Sequence, residues 1–206
     1  MKQFRVCSLV LLAWSSFAAI AQPADVTAPS WRVGEQWSYD HMKGPGRQRQ
    51  PQLELRISDV TSGRVTFVNA EAATQAVYEP DYSISTWDGE PYSEPIRILK
   101  FPLTAGSKWV HDNVREDRNC KRSVTKLETR VVGWDDIVVP AGTFKAVRID
   151  STGTWTNGCG SDRLAYRIWY SPAVKWYVKV ESVVYAAGRV WESDVRELRA
   201  FKVEQP

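Results

Sequence analysis

The sequence has few of the residues and none of the short motifs that identify common enzymes. Histidine occurs only twice in 206 residues, as His41 and His111. The chain contains no G-x-S-x-G elbow, no H-E-x-x-H zinc motif and no phosphate-binding loop. These absences argue against serine hydrolases, zinc proteases and nucleotide-binding enzymes of the usual kinds, and we expect no cofactor, no metal site and no catalytic residues.

Long apolar runs are also missing, except at the amino terminus. Lys2 and Arg5 precede a mostly apolar stretch at 6–20, and small residues before Gln22 fit cleavage by signal peptidase. A membrane-spanning helix is less favoured, because the stretch is short, contains serines and is followed at once by proline and aspartate. The pattern predicts a signal peptide.

The predicted cleavage sets the domain boundary and the compartment. We expect residues 1–21 to be the signal peptide and residues 22–206 to form a single β-rich domain. The mature protein is then periplasmic or secreted, without a stable membrane anchor. Loss of Lys2 and Arg5 lowers the net charge from +3 to +1, so nothing in the charge balance indicates nucleic acid as a partner.

Cysteine is scarce, and the compartment predicted for the protein determines how its cysteines are interpreted. Of the three cysteines, Cys7 lies in the predicted signal peptide, which leaves Cys120 and Cys159. Two cysteines in an oxidising compartment favour one disulfide bond. The alternative is a redox or metal pair, which the absence of C-x-x-C spacing and of a nearby histidine disfavours.

Segments of helical period are lacking after Trp31, and alternating apolar and polar residues indicate strands. We predict roughly nine to eleven strands in an all-β fold: a curved antiparallel sheet, a sandwich or a partly open barrel. Segment 196–201 is the exception, since its pattern also fits a short helix. Trp37, Trp109 and Trp176 lie on apolar alternations and are predicted to be core residues.

The most recognisable hairpin lies at Val138–Asp150. Pro140 and Gly142 interrupt two apolar runs, because proline cannot donate to a ladder and glycine allows a chain reversal. With a turn near Pro140, facing residue numbers sum to about 281, and Cys120 falls two residues from the position facing Cys159. A β-bulge at 133–136 would absorb that offset.

Three motifs in order resemble those of a known group of exported proteins. They are Phe101-Pro102-Leu103-x-x-Gly106-x-x-Trp109, Val139-Pro140-Ala141-Gly142-Thr143-Phe144-x-Ala146 and Trp169-Tyr170-Ser171-Pro172. Together they resemble the TapB-like family and related exported bacterial β-rich proteins of unknown function, over about residues 95 to 200. The resemblance implies a periplasmic or secreted β-rich domain and no catalytic residues. Such proteins usually have Gly-Val-Gly after the last motif, whereas this chain has Ala173-Val174-Lys175.

Segment 78–95 differs in composition from the rest of the chain, because it is acidic, contains proline and has no Lys or Arg. Asp88-Gly89 is a strong signal for a two-residue hairpin. Tyr82, Trp87 and Tyr92 in this segment form a possible ligand surface, since exposed aromatic rings near carboxylates can stack on sugars or hold a cation. The alternative is that these rings cap one end of the sheet and are buried.

Two weaker possibilities concern acid–base chemistry. Asp88 with Glu90, and Asp135 with Asp136, are the available local carboxylate pairs for glycosidic hydrolysis. His41 follows Asp40 and His111 precedes Asp112, within two stretches that resemble each other, so they could converge in space. The simpler interpretation is that these residues are solvated ends of strands and turns.

The favoured function is a non-enzymatic exported envelope module that binds a ligand or partner, either an envelope component or a small molecule. One alternative is a hydrolase of cell-wall or polysaccharide substrates. Another is a structural accessory domain without a small ligand. A curved sheet around an apolar cavity would favour the first, especially for a lipid-like molecule.

Overall fold

The computed structural model describes residues 25–69, 73–115, 122–158 and 160–204. These residues form fifteen strands and one short 3₁₀ helix, η1 (Pro172–Val174), which confirms the all-β prediction. The strands are β1 (Asp25–Val26), β2 (Gln36–Lys43), β3 (Gln48–Arg49), β4 (Leu53–Thr61), β5 (Arg64–Asn69), β6 (Thr74–Tyr78), β7 (Ile84–Trp87), β8 (Glu90–Ile96), β9 (Leu103–Thr104), β10 (Lys108–Arg115), β11 (Ser123–Val139), β12 (Gly142–Asn157), β13 (Gly160–Ser171), β14 (Trp176–Ala186) and β15 (Arg189–Lys202). No helix in the described part of the chain is long and apolar enough to cross a bilayer.

Thirteen strands form one antiparallel sheet that curves into a nearly closed barrel. The order is β10-β11-β12-β13-β14-β15-β2-β4-β5-β6-β7-β8, with β3 paired to β2, while β1 and β9 form a separate small sheet. The two edge strands, β8 and β10, lie side by side. The count exceeds the nine to eleven strands expected. Most of the excess comes from β1, β3 and β9, which are two-residue strands too short to produce an alternating pattern.

The two ends of the barrel are distinguished by their turns. We call the end with the β11–β12 turn at Pro140 and Ala141 the lower end, and the end with the β14–β15 turn at Ala187 and Gly188 the upper end. The predicted Asp88-Gly89 hairpin joins β7 to β8 at the upper end. Both turn residues have positive φ angles, 52° and 78°, as a two-residue type I′ turn requires.

The predicted hairpin at Val138–Asp150 is confirmed and is the longest in the sheet. Val139 faces Gly142, and the register holds along β11 until an irregularity between Val131 and Gly133, close to the bulge expected at 133–136. Beyond it the facing pairs shift by one residue, and the ladder ends with Ser123 facing Asn157. Cys120 and Cys159 lie outside the described residues, so their disulfide stays a prediction.

Segment 196–201 is strand, not helix, because β15 runs unbroken through it. The ladder with β2 pairs Leu198 with Tyr39 and then Ala200 with Ser38, so Arg199 is an extra residue at a bulge. A bulge shifts the apolar–polar alternation by one position. That shift produced the helix-like pattern in the sequence.

Aromatic residues fill the lower half of the barrel. Trp37 and Trp176 are 0% and 3% exposed, and Trp109 is 8% exposed, so the prediction that all three are core residues is confirmed. Phe67 stacks on Trp176 with ring centroids 4.8 Å apart, and the Trp37 indole donates to the Val174 carbonyl oxygen over 2.8 Å. Each such ring pair adds about 0.5–1.5 kcal/mol beyond the burial of its area.

The departure from Gly-Val-Gly has a structural explanation at the lower end. Lys175 has a φ of 59°, in the left-handed region that glycine occupies most easily. Its ammonium donates to Glu35 Oε1 over 2.6 Å and to the Ser30 carbonyl oxygen over 3.0 Å. The two side chains are 5% and 2% exposed. Glu35 also accepts from the backbone N–H groups of Arg32 and Glu204. The ion pair therefore links the segment before β2 and the segment after β15 to the turn after β13.

Candidate functional site

The inner face of the barrel changes from filled to accessible along β14. Trp176 and Val178, near the lower end, are 3% and 0% exposed. The next inward-facing residues, Val180, Ser182 and Val184, are all partly exposed. A side chain that lies on the inner face and still contacts water must border an accessible space, so the upper part of the barrel is incompletely filled beside β14.

Polar side chains from two neighbouring strands meet at this level. The β2–β15 register pairs His41 with Arg196, and the inner face of β15 also carries Asp194. His41 Nε2 lies 2.8 Å from Asp194 Oδ2. Arg196 Nε donates to Asp194 Oδ1 over 2.8 Å, and Nη2 lies 3.4 Å from Oδ2. We call these three residues the inner polar cluster.

Burial is uneven within the inner polar cluster. The Asp194 side chain is 8% exposed, whereas the Arg196 side chain is 33% exposed. Burial alone raises the pKa of the Asp194 carboxyl, but the Arg196 guanidinium and the His41 hydrogen bond outweigh it and hold the pKa below its ordinary value. Asp194 therefore stays ionised, in contact with both His41 and Arg196.

Tyrosines from four strands interact with the cluster or with one another. Tyr177 lies within hydrogen-bonding reach of Arg196. Tyr166 interacts electrostatically with Arg196 and with Tyr92, and Tyr78 interacts with Tyr177 and Tyr92. Burial raises the pKa of Tyr78 and of Tyr166 above its ordinary value, so both phenols are neutral at physiological pH and can donate hydrogen bonds.

The three residues of the predicted ligand surface occupy different environments. Tyr82 is 7% exposed, its ring contacts Phe101 at 4.7 Å between centroids, and its hydroxyl donates to the Pro29 carbonyl oxygen. Tyr82 is thus a core residue and not part of an exposed surface. Trp87 is 37% exposed and shares the inward face with Ala76 at the upper rim. Tyr92 reaches the tyrosines around the inner polar cluster. A ligand role for Trp87 and Tyr92 stays a prediction.

The adjacent histidine and aspartate residues do not act as pairs. Neighbouring residues of a strand point to opposite faces, so His41 faces inward to Asp194 while Asp40 pairs with Arg49 and Arg199 on the outer face. His111 is 7% exposed, and neither ring nitrogen meets hydrogen-bond geometry with a described residue. β2 and β10 are not neighbours in the sheet, and the two histidines do not form one site.

The candidate carboxylate pairs are occupied by other partners. Asp135 accepts from the Trp169 indole and pairs with Arg148, and Asp136 pairs with Lys145 at 2.6 Å. Asp88 accepts from the Gln75 backbone N–H. Among the described residues, no three His, Cys, Asp or Glu side chains form a group suited to a metal ion.

The seam between β8 and β10 is closed by side chains instead of a backbone ladder. Three side chains donate to backbone carbonyl oxygens of the opposite strand or its flank: Ser93 to Val114 over 2.7 Å, Asn113 to Glu94 over 2.8 Å, and the Trp109 indole to Arg97 over 2.8 Å. Pro91 and Pro95 lie in β8 and have no N–H to donate.

Sequence reasoning missed the inner polar cluster. His41 and Asp194 are separated by 153 positions, and nothing local in the sequence links them. One signal was present: Asp194, Arg196 and Leu198 alternate on β15, so a carboxylate and a guanidinium share a strand face with a fully buried leucine. Charged residues on a core-facing stripe are unusual and indicate either a buried ion pair or a polar interior.

Comparisons with known proteins show a shared fold and no close relative. No family model matches the chain, and no curated protein matches it. The fold is similar to that of a predicted lipoprotein from Parabacteroides distasonis ATCC 8503, with a TM-score of 0.54 and 14% identity over 88% of this chain and 100% of that chain.

Two further solved structures are similar over most of their length. The hypothetical lipoprotein YmcC from Escherichia coli (K12) gives a TM-score of 0.49 at 10% identity, over 84% of this chain and 85% of that chain. A predicted exported protein with a YmcC-like fold from Bacteroides fragilis NCTC 9343 gives 0.46 at 14% identity, over 87% of this chain and 100% of that chain.

Proposed function

We propose that this protein is a non-enzymatic exported module of the bacterial envelope that binds a small ligand inside the upper part of its barrel. The observation that carries the proposal is the change along β14 from buried Val178 to the partly exposed inward residues Val180, Ser182 and Val184. Ligand sites are commonly concave, mostly apolar and equipped with a few polar groups. The inner polar cluster supplies such groups beside an apolar wall.

The envelope location is part of the proposal. It is supported by the predicted signal peptide at residues 1–21, which lies outside the described residues. The described fold is similar to that of a predicted lipoprotein. Membership of the TapB-like group is proposed on the sequence motifs alone.

A hydrolytic function receives less support from the geometry. Asp135 and Asp136 point to opposite faces of β11 and are each paired with a cation. General acid–base catalysis on a glycosidic bond needs two carboxyl groups about 5–10 Å apart facing one substrate. The carboxylate of Asp194 is 8% exposed and already contacts Arg196 and His41, so it is poorly placed to meet a substrate.

A pair of adjacent substitutions tests the site. Ser182→Trp adds a large ring to the inner face, whereas Val183→Trp adds it one position along on the outer face. We expect Ser182→Trp to abolish ligand binding and Val183→Trp to preserve it, with both proteins folded by circular dichroism.

Native mass spectrometry of protein purified from its own envelope supplies the readout. The wild type and Val183→Trp should carry a bound small molecule, and Ser182→Trp should not. A wild-type protein isolated only at its polypeptide mass, and unchanged by addition of envelope extract, would favour the structural accessory domain. Equal loss of ligand from both variants would place the site elsewhere.

A further inference from the structure

We propose that Arg196 binds the oxyanion headgroup, a carboxylate or a phosphate, of an amphiphilic ligand whose apolar chain lies along β14. The inference rests on the proposed function and specifies the chemistry of its ligand. It assigns Arg196 as the contact for the headgroup, with Asp194 and His41 as positioning residues.

Arg196 is the more accessible side chain of its ion pair with Asp194. Asp194 is 8% exposed and its two oxygens face His41 and Arg196. Arg196 keeps more accessible surface than Asp194, because 33% of its side chain is exposed against 8%. A ligand that enters the space beside β14 therefore meets Arg196 more readily than the carboxylate.

The Arg196 guanidinium keeps one nitrogen outside its contact with Asp194. Asp194 takes Nε and Nη2 of Arg196, so Nη1 takes no part in that contact. A guanidinium held by a carboxylate on one edge keeps its plane fixed. Tyr177 also lies within hydrogen-bonding reach of this guanidinium, so an oxyanion would bind beside that phenol. Fixing the side chain in advance lowers the entropy cost of binding.

Two tyrosines lie near the Arg196 side chain. Tyr166 and Tyr177 both lie close enough to Arg196 to interact with it electrostatically. A neutral phenol donates one hydrogen bond, and the oxygens of a carboxylate or phosphate accept several. Phenols from β13 and β14 thus lie in the same region as the Arg196 side chain of β15.

The barrel wall beside the cluster is apolar. Leu164 and Ile168 on β13, and Val180 and Val184 on β14, share the inward face with the cluster. Leu164 and Ile168 are buried, whereas the two valines keep accessible surface. Covering that surface with an alkyl chain is favourable by about 25 cal/mol per Å² of apolar area. The combination of a cation and an apolar wall fits an amphiphile better than a free inorganic anion.

Three probes with the same alkyl chain separate the possibilities: dodecanoate, dodecyl phosphate and dodecanol. Each is titrated into the full mature protein below its micelle concentration, with calorimetry or tryptophan fluorescence as the readout. A hydrogen bond to a charged group contributes enough to change affinity by about ten- to a hundredfold. We expect one or both anionic probes to bind at least tenfold more tightly than dodecanol.

Two variants test the role of Arg196 without leaving the Asp194 carboxylate buried and unpaired. Arg196→Lys retains the charge, and the double variant Asp194→Asn with Arg196→Gln removes both charges together. We expect both to retain dodecanol binding, while the preference for anionic probes falls with Lys and disappears in the double variant. Arg199→Lys, three residues along β15 and paired with Asp40 outside the barrel, is the matched control and should behave as the wild type.

The outcomes distinguish this inference from the proposed function. Equal binding of all three probes by the wild type would overturn the role of Arg196 and leave a barrel that binds apolar chains. A preference for anions that survives in the folded double variant would also overturn it. Failure of the folded wild type to bind any of the probes would count against both. A preference for dodecyl phosphate over dodecanoate, or the reverse, supports the shared oxyanion chemistry and identifies the source.

Discussion

The buried Lys175–Glu35 pair allows a quantitative test of what stabilises this fold. Lys175→Met keeps the length of the side chain, removes the cation and leaves the Glu35 carboxylate, 2% exposed, without its charged partner. Breaking a buried ion pair on one side costs about 3–5 kcal/mol. Since Glu35 keeps two backbone N–H donors, we expect the lower end of that range, about 3 kcal/mol.

The measurement is unfolding in urea and on heating. In a domain of this size each kcal/mol corresponds to about 2–4 °C, so Lys175→Met should lower the Tm by about 6–12 °C. Glu35→Gln should cost a similar amount, since it leaves the Lys175 ammonium buried without a carboxylate. The double variant should cost less than the two single variants together, with a coupling free energy of about 1–3 kcal/mol.

The chain contains a matched control for this cycle. Lys145 and Asp136 form an ion pair at the same distance, 2.6 Å, but their side chains are 60% and 61% exposed. Lys145→Met should therefore cost less than about 1 kcal/mol. If Lys175→Met is no more costly than Lys145→Met, burial is not what gives the inner pair its effect and the reasoning fails.

Four further predictions concern other parts of the molecule. Gly153→Ala should destabilise the protein by about 1–3 kcal/mol, because an added Cβ would lie 1.8 Å from the Lys126 backbone oxygen, whereas Gly160→Ala meets nothing within 4 Å and should be neutral in the same urea titration. Non-reducing peptide mapping of exported protein should show Cys120 joined to Cys159, and free thiols at both would contradict that pairing. Trp87→Ala should lower the Tm by only a few degrees, since Trp87 is 37% exposed at the rim; a large fall would make it a core residue. Burial lowers the pKa of His111 from its ordinary 6.5, and the Asp112 carboxylate opposes part of the shift. The unfolded chain therefore takes up the proton first, and stability should be lost as pH falls below about 6.5; His111→Phe should flatten that part of the pH profile.

Local patterns in the sequence predicted the strands and hairpins because each depends on neighbouring residues. Asp88-Gly89 and Pro140-Ala141 specify turns by backbone geometry, and alternation on either side specifies which face is buried. The same logic failed at Arg199, where a bulge changes the period without any local marker. It also failed at Lys175, whose left-handed backbone is supported by Glu35, a residue 140 positions away.

The candidate site was beyond the reach of local reasoning for a related reason. Its residues come from β2, β13, β14 and β15, and their proximity follows from closure of the sheet. The aromatic segment 78–95 was expected to provide the binding surface, and it contributes differently: Tyr82 enters the core, Trp87 lies at the rim and Tyr92 approaches the inner tyrosines. Composition indicated where unusual residues lie, but only the register of the barrel determined which way each side chain faces.

The two edge strands illustrate how a nearly closed barrel avoids association through its open edge. An exposed edge with free N–H and C=O groups can pair with another chain. In β8, Pro91 and Pro95 remove two donors, and Glu90 and Glu94 add charge. The side chains of Trp109 and Asn113 on β10 occupy carbonyl oxygens on the opposite side of the seam. Prolines and charged residues on β8, together with side-chain hydrogen bonds across the seam, therefore protect this edge from pairing with another chain without a regular strand register between β8 and β10.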